Sequence, residues 1–449
     1  MSRFRAYILP LYLLLCILIG GSSQAVWGNA FLQLIALAIL AWAALAPDSP
    51  ALSGSGRRLL LIIGAVALLF VIQLVPLPPG LWTQLPGRAF VEDGLRLLGV
   101  PLPWLPISLS PYDTMTAALA LLPPFALLAA MIRLRCWSSN AMFAAILAGA
   151  TISILLGVLQ VSGGEGGRWY FYQRTNLGIA VGTFANGNHY ATILLASLPM
   201  LAALAAVRWR SAKTREQRSL TLAMAAAGAA VLAIGVLINR SAAMLLLGPA
   251  VAVATGLMVL RLPPRRSRQA LAGVGLLLLA GAAALALFGG SLTGWGTDAS
   301  VQTRAEYWAK SAQAAEDHLL TGAGIGTFEK LYRQLEDPAA VDRWYVNHAH
   351  NDYLELAVEG GLAAIVLMVV FLWWWAARAS EAWRSSAGLE QKAATIASAA
   401  ILAHSMIDFP LRTAAISAVF AVCLALLAGA RGHRGGVSDD LERPRHATL

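Results

Sequence analysis

The sequence predicts an all-α polytopic membrane protein with about twelve transmembrane helices and one large extramembrane loop that contains short helices. Of its 449 residues, 58% are hydrophobic and only 12% are charged, whereas soluble chains carry roughly 25% charged residues. Apolar runs of about 18 to 24 residues recur along the chain, and each can cross a hydrocarbon layer about 30 Å thick. These runs do not alternate apolar with polar residues, which argues against a β-barrel.

The predicted spans follow one another with mostly short connections. They are residues 6–21, 29–46, 59–77, 114–132, 141–161, 190–207, 220–239, 241–260, 271–288, 352–375, 393–409 and 413–430. If both termini are cytoplasmic, most basic clusters lie in cytoplasmic segments, as the positive-inside rule requires. We therefore expect cytoplasmic N- and C-termini.

The basic excess indicates topology and contact with anionic lipid, and it does not indicate nucleic-acid binding. The formal net charge is +10, and the arginines cluster beside the spans. The three cysteines are scattered and form no CxxC pair, so neither a disulfide nor a zinc site is indicated. The loop at 21–28 lacks a convincing signal-peptidase site, so the first span is expected to remain as a helix.

Two connections on the outer side are longer than the rest. Residues 1–288 are expected to hold spans 1–9, with an interfacial Pro/Trp-rich segment at about 78–113 whose indole rings lie at headgroup level. Residues 289–351 form the large outer loop, 352–430 hold spans 10–12, and 431–449 form a cytoplasmic tail.

Inside the large loop the hydrophobic spacing predicts two helices, over 301–317 and 328–335. Gly322, Gly324 and Gly326 lie between them and resemble a phosphate-binding loop. A dinucleotide fingerprint needs a preceding strand within a βαβ unit, so we interpret this run as a tight turn between the two helices.

Polar residues near the outer ends of the spans need an explanation, because ionisable groups at membrane depth are costly. Asp352, Glu355 and Glu359 recur at i, i+3 and i+7, and therefore share one helical face. His404 and Asp408 are four residues apart. The full set on this side is Asn188, His189, Arg240, Arg304, His348, His350, Asp352, Glu355, Glu359, His404, Asp408 and Arg412.

Arginine and histidine in this pattern favour transfer chemistry on a lipid-linked phosphate or diphosphate. The guanidinium group stays charged and binds phosphate oxygens in a bidentate manner. A neutral histidine can act as a general base near pH 7. No D-x-D pair occurs on the outer side, and sugar nucleotides are cytoplasmic. Both points favour a lipid-linked donor and a reaction without a metal or other cofactor.

Each of these residues also has a purely structural interpretation. The segment from His350 to Asp352 is suited to capping a helix, and Arg240 is suited to reaching toward lipid headgroups. Arg304 is suited to a solvated pair with Glu306. His404 and Asp408 are suited to an interhelical hydrogen bond.

Several parts of the chain resemble the O-antigen ligase / O-antigen polymerase family of bacterial membrane glycosyltransferases. The strongest is HAHNDYLEL at 348–356, which continues to EGG at 359–361. GTFANGNHYA at 182–191 and HSMIDFPLR at 404–412 are similar to two further family elements, and Arg240 matches the arginine of a short outer turn. Arg304 and the glycine run are similar to the start of the family's periplasmic loop. The residues before and after Arg240 depart from the family's usual Ser and Gly.

The resemblance implies a twelve-helix GT-C-like fold in the inner membrane, with a periplasmic loop over the active site. It implies an undecaprenyl-diphosphate-linked oligosaccharide donor and inverting, metal-independent transfer. His350 becomes the catalytic base, and Arg240, Arg304 and Arg412 become diphosphate-binding residues. The remaining candidates support the site: His348, Asn188, His189, Glu355, His404 and Asp408.

Polymerisation of O-antigen, capsule or exopolysaccharide repeat units is the preferred activity. The HAHNDYL and DFPLR strings look more like polymerases than ligases. The alternative is an O-antigen ligase that transfers the glycan to lipid A-core. A flippase or transporter of lipid-linked glycans is less favoured, because it predicts polar residues through the whole membrane depth, and most spans lack charge at their centre.

Overall fold

The computed structural model describes residues 5–23, 26–46, 51–134, 136–260, 297–336, 346–384 and 388–429, with the isolated positions 269 and 273. The predicted ninth span at 271–288 lies almost wholly outside the described residues, as do parts of the large loop and the tail from 430 onward.

The described helices account for the other predicted spans and for both helices of the large loop. In chain order they are α1 Arg5–Ile19, α2 Trp27–Leu45, α3 Gly54–Leu74, α4 Pro79–Trp82, α5 Ala89–Leu97, α6 Pro111–Ala120, α7 Leu122–Arg133, α8 Ser139–Gly163, α9 Gly187–Ser211, α10 Arg215–Asn239, α11 Ala242–Val259, α12 Thr297–Asp317, α13 Phe328–Leu335, α14 Asp352–Arg384, α15 Leu389–His404 and α16 Ala414–Leu427.

Among the described residues, seven helical segments are long and apolar enough to cross a membrane. They are Trp27–Leu45, Gly54–Leu74, Pro111–Arg133, Ser139–Gly163, Gly187–Ser211, Arg215–Asn239 and Asp352–Arg384. Three shorter apolar helices lie at predicted spans, namely α1, α11 and α16. An all-α polytopic membrane protein is therefore confirmed, and the total of twelve spans stays a prediction.

Two helices form the centre of the bundle. Every residue of α16 is buried, and α9 packs against α8, α10, α11 and α15. In contrast, α2, α3 and α10 expose most of their apolar side chains, which is the pattern of helices that face lipid. The central helices are thus rigidly enclosed, and residues at their ends have fixed positions.

The polar ends of the helices meet at one end of the bundle. α9, α14 and α16 begin there, and α10 and α15 end there, as the contacts among their terminal residues show. At the opposite ends of the long helices lie basic residues, including Arg208 and Arg210 in the last turn of α9 and Arg384 in the last turn of α14. These basic residues therefore lie at the end of the bundle opposite the one where the polar helix ends meet.

The glycine run joins α12 to α13, so the predicted turn is confirmed. It lies directly against a break in α14 at Gly361, whose φ is 57°. The Ala323 N–H donates to the Val358 carbonyl at 3.0 Å, and the Gly324 N–H donates to the Glu359 carbonyl at 2.9 Å. A Cβ atom on Gly322 would lie 2.2 Å from the Glu359 oxygen, so only glycine permits this backbone contact.

The interfacial segment is folded more tightly than its composition predicts. Two short strands, β1 at Pro76–Leu77 and β2 at Leu105–Pro106, pair in antiparallel fashion. The Trp82 indole is fully buried and donates to the Pro103 carbonyl at 2.8 Å. Trp82 therefore contributes to the packing of the segment itself, whereas Trp104 is 64% exposed, and the position of the indole rings at headgroup level stays a prediction.

Candidate active site

The buried carboxylate of Asp408 lies at the polar end of the bundle. Helix α15 ends at His404, and the chain then turns, with the Asp408 N–H donating to the His404 carbonyl at 3.0 Å. A short 3-10 helix, Pro410–Arg412, follows. Asp408 therefore lies beyond the end of α15, although the predicted span continues to residue 409, and its carboxylate is buried with an exposed fraction of 0%.

The side chains that surround this carboxylate come from three other parts of the chain. His350 Nδ1 and His189 Nε2 lie 3.6 Å and 3.7 Å from Asp408 Oδ1. An Arg304 guanidinium nitrogen lies 4.0 Å from Asp408 Oδ2, and the Asn188 amide donates a short hydrogen bond to the same oxygen. We refer to Asp408, His350, His189, Arg304 and Asn188 as the Asp408 cluster.

His350 is held in an uncommon backbone conformation. Its φ is 51°, in the left-handed region that residues with a side chain seldom adopt. Tyr307 of α12 stacks against its imidazole with centroids 6.1 Å apart, and Phe409 meets the ring edge-on at 5.0 Å. Strained conformations of this kind persist where the surroundings impose them, and they are common at active sites.

The ionisation state of the Asp408 carboxyl depends on the side chains around it. Burial alone raises the pKa of the Asp408 carboxyl, but interactions with His189 and His350 outweigh burial and hold that pKa well below its ordinary value. The carboxylate is therefore ionised at neutral pH. It can orient an imidazole and stabilise it after it gains a proton.

Arg240 lies in the turn between α10 and α11, with a left-handed backbone at φ 55° and an exposed side chain. Its two neighbours bind the start of α9. The Asn239 amide donates to the Gly187 carbonyl at 2.8 Å, and the Ser241 hydroxyl donates to Asn188 Oδ1 at 2.8 Å. The turn is thus joined through Asn188 to the Asp408 cluster.

A second buried ion cluster, the Arg412 cluster, adjoins the first. The Arg412 guanidinium lies 3.0 Å from Glu359, 3.3 Å from Glu355 and 3.5 Å from Asp352. The predicted common face of these three acidic residues is confirmed. His348 Nδ1 lies 2.8 Å from Glu355 Oε1, so His348 belongs to this cluster.

These contacts give Arg412 a different place from the one the sequence predicts. Its guanidinium lies beside three carboxylates that offset its charge, and one of its nitrogens donates to Glu359 Oε2 at 3.0 Å. The expected role as a diphosphate ligand finds no support in this arrangement. Arg412 instead joins the 3-10 helix to the first turns of α14.

The structure supports some of the purely structural interpretations of the polar residues and not others. Asn351 caps α14, because its side-chain oxygen accepts the N–H groups of Tyr353 and Leu354 at 3.1 Å. Glu306 pairs with Lys310 at 2.8 Å, whereas Arg304 turns to Asp408. His404 bonds to Thr192 across helices at 2.7 Å, and therefore supports the packing of α15 on α9.

Sequence reasoning missed residues that align the site. Phe409 packs against the rings of His189, His348 and His350. Gln73, fully buried at the end of α3, donates to the Glu359 carbonyl at 2.9 Å and accepts the Ile325 N–H at 3.0 Å. A lone glutamine within an apolar span is the signal that could have identified Gln73.

The fold and site together define a polytopic helical membrane protein with histidine, arginine and buried carboxylate side chains at one end of its bundle. Across the described ranges, His, Cys, Asp and Glu side chains do not form a group able to hold a metal ion. Residues 218–369 match the family described as O-antigen ligase. No curated protein matches the chain. The family match confirms the resemblance to the O-antigen ligase / O-antigen polymerase family, and it contains Arg240, Arg304 and His350.

Proposed function

We propose that the protein transfers a glycan from an undecaprenyl-diphosphate carrier to a sugar hydroxyl with inversion at the anomeric carbon. The family match supports O-antigen ligase-type glycan transfer by a membrane glycosyltransferase. The observation that carries the finer proposal is the meeting of an imidazole and a guanidinium on one buried carboxylate. This arrangement combines a proton acceptor with a cation that binds phosphate.

His350 is the general base of this proposal. Its Nδ1 faces Asp408 and has no hydrogen-bond partner among the described residues. A proton on Nδ1 would complete a bond to the carboxylate, and Nε2 would then accept the proton of the acceptor hydroxyl. Asp408 fixes the imidazole ring and stabilises the imidazolium that forms, as the carboxylate of a hydrolytic triad does.

Arg304 and Arg240 are the proposed diphosphate ligands. The Arg304 side chain is 29% exposed and only loosely paired to Asp408, so it retains N–H donors for phosphate oxygens. Arg240 extends from the turn that Asn239 and Ser241 fix to α9. Guanidinium groups so placed neutralise the charge that develops on the departing diphosphate.

The basic residues at the opposite ends of the helices support a cytoplasmic location for those ends. The site then faces the periplasm, and the protein lies in the bacterial inner membrane with both termini cytoplasmic. A lipid carrier in the outer leaflet would present its diphosphate at the depth of the Asp408 cluster. The transfer needs no metal in this proposal, and we expect activity to persist in EDTA.

The preferred reaction is polymerisation of repeat units, and ligation to lipid A-core is the second candidate. The match to the family described as O-antigen ligase supports glycan transfer and does not distinguish the two acceptors. Both reactions use the same donor and the same base, so the geometry of the site is compatible with either acceptor.

Purified protein in lipid nanodiscs tests both the transfer and the acceptor. The protein is incubated with lipid-linked repeat units alone, and in parallel with added lipid A-core. A ladder of products without core supports the polymerase, and product only after core is added supports the ligase. Absence of product with both acceptors, under conditions where the protein remains folded, would contradict the proposed function. His350→Ala is the inactive control.

A further inference from the structure

The connection between α8 and α9 carries a concentration of aromatic and cationic side chains beside the site. Residues 168–174 read Arg-Trp-Tyr-Phe-Tyr-Gln-Arg. We call residues 164–178 the aromatic loop. Trp169 is 47% exposed and Phe171 is 61% exposed, and Arg168, Gln173 and Arg174 are also exposed. Large apolar surfaces in solvent commonly mark a binding site.

The aromatic loop is held in one conformation by hydrogen bonds. The buried Gln160 amide donates to the Trp169 carbonyl at 3.0 Å. The Tyr170 hydroxyl accepts the Gly178 N–H at 2.9 Å and donates to the Ile179 carbonyl at 3.2 Å. A surface fixed in this way loses little conformational entropy when a ligand binds. The exposed rings of Trp169 and Phe171 are therefore presented on a preformed support.

Hydrogen bonds connect the aromatic loop to the Asp408 cluster. Asn176 Oδ1 accepts the Gly187 N–H at 3.0 Å, and the next residue, Asn188, binds Asp408. A chain of sugars whose reacting end lies at His350 would therefore have this loop within its reach. Resting on the proposed function, we infer that the aromatic loop binds the sugar rings of the glycan that is being transferred or extended.

The side-chain chemistry suits a carbohydrate better than the interior of a bilayer. The C–H faces of a pyranose ring pack on the π faces of Trp and Phe, whose amphipathic rings bind with little loss of side-chain entropy. The neighbouring Arg168, Gln173 and Asn176 supply donors and acceptors for hydroxyl or carboxyl groups. The interfacial segment, by contrast, exposes Phe90, Leu97 and Leu98, which is a surface suited to lipid.

Binding and transfer measured separately test the inference. The probe is an oligosaccharide released by mild acid from the polysaccharide of the source strain, and saturation-transfer NMR follows its binding to full-length protein in nanodiscs. The double variant Trp169→Ala/Phe171→Ala should weaken binding about tenfold. Phe90→Ala is the matched control and should bind normally, and His350→Ala should bind but not transfer. Unchanged binding by the double variant would overturn the inference, whatever the transfer assay shows.

Steady-state kinetics identify which glycan occupies the loop. With the acceptor saturating, a tenfold rise in KM for the lipid-linked donor with kcat within about twofold indicates the donor glycan. The same rise in KM for the acceptor, with the donor saturating, indicates the acceptor glycan. An unchanged KM for both substrates would overturn the inference.

A spin label distinguishes a glycan surface from a membrane-contacting one. The native Cys16, Cys136 and Cys423 are buried, so a nitroxide at Phe171→Cys labels selectively. We expect stronger relaxation by a water-soluble nickel chelate than by oxygen. The exposed Val366 of α14, labelled as Val366→Cys, is the lipid-facing control. Relaxation of the Phe171→Cys label mainly by oxygen, as at Val366→Cys, would overturn the inference and assign the loop to the bilayer.

Discussion

The Asp408 cluster and the Arg412 cluster lie at the same end of the bundle and have opposite compositions. In the Asp408 cluster one carboxylate faces a guanidinium and two imidazoles. In the Arg412 cluster one guanidinium faces three carboxylates. With neutral imidazoles the first arrangement carries no net charge and keeps a partly exposed guanidinium, whereas the second holds more carboxylates than cations and repels an anion. An arginine at this end of the bundle can therefore bind phosphate only where its partners leave N–H donors uncovered.

Two histidines that are two residues apart in the sequence belong to different clusters. His348 points to Glu355 and His350 points to Asp408, because the left-handed backbone at His350 redirects the chain just before α14 begins. Phe409 packs against both imidazoles. Two histidines of one short motif can therefore serve different purposes, and variants of each should show which cluster carries out the chemistry.

The largest effect is expected from His350→Ala. Loss of a general base lowers rates typically 10²–10⁴-fold, so glycan transfer should fall by about that factor. Thermal unfolding should change little, because Asp408 keeps its contacts with Asn188, His189 and Arg304 in this variant. His348→Gln is the matched control, and its transfer rate should fall far less. Equal losses of rate in the two variants would contradict the division between the clusters.

Arg412→Gln should act on stability. Removing the guanidinium leaves three buried carboxylates without their cation, and breaking a buried ion pair costs about 3–5 kcal/mol. Thermal unfolding in detergent should show a large decrease in Tm. Arg384→Gln, at the exposed opposite end of α14, should change Tm very little. A stable Arg412→Gln protein that fails only in donor binding would instead make Arg412 a substrate ligand.

Arg304→Lys should reduce kcat/KM for transfer about tenfold and leave Tm unchanged. Lysine keeps the charge and loses the bidentate geometry that diphosphate oxygens match. Arg333→Lys, on the neighbouring α13 and paired with Glu329, is the control. A wild-type rate for Arg304→Lys would exclude bidentate phosphate contact at this position.

The smallest effect is expected from Asn188→Ala. The variant removes the amide that donates to Asp408 and the oxygen that accepts from Ser241. Asn188 positions Asp408 and neither takes up the proton nor binds the diphosphate in this proposal, so transfer should fall severalfold, less than in the Arg304→Lys variant. Gln84→Ala, at an exposed position of the interfacial segment, should have the wild-type rate. An Asn188→Ala rate equal to that of the control would remove Asn188 from the site.

The local periodicity of the sequence was sufficient to predict many of the helices and part of the candidate site. The apolar runs predict the helices, and the spacing of Asp352, Glu355 and Glu359 predicts their common face, because both depend on helical geometry alone. The alternation of helix directions also predicts that the polar ends meet. These features need no knowledge of which helices are neighbours.

Contacts between side chains that are far apart in the sequence could not be predicted from its periodicity. The partners of Arg412 come from α14, and the support of Glu359 comes from Gln73 on α3. Nothing in the spacing around Arg412 distinguishes a neutralised arginine from one that binds phosphate. Likewise, the apolar run predicts a span that continues to residue 409, but the helix ends at His404 and leaves Asp408 in the turn that follows.

The most direct measurement is a cryo-EM structure of the His350→Ala protein with undecaprenyl diphosphate bound in nanodiscs. The account predicts density for the diphosphate within hydrogen-bonding distance of Arg304 and Arg240 and beside position 350, with the Arg412 cluster unchanged. Diphosphate density on Arg412, or Arg240 and Arg304 directed away from the bound diphosphate, would contradict it.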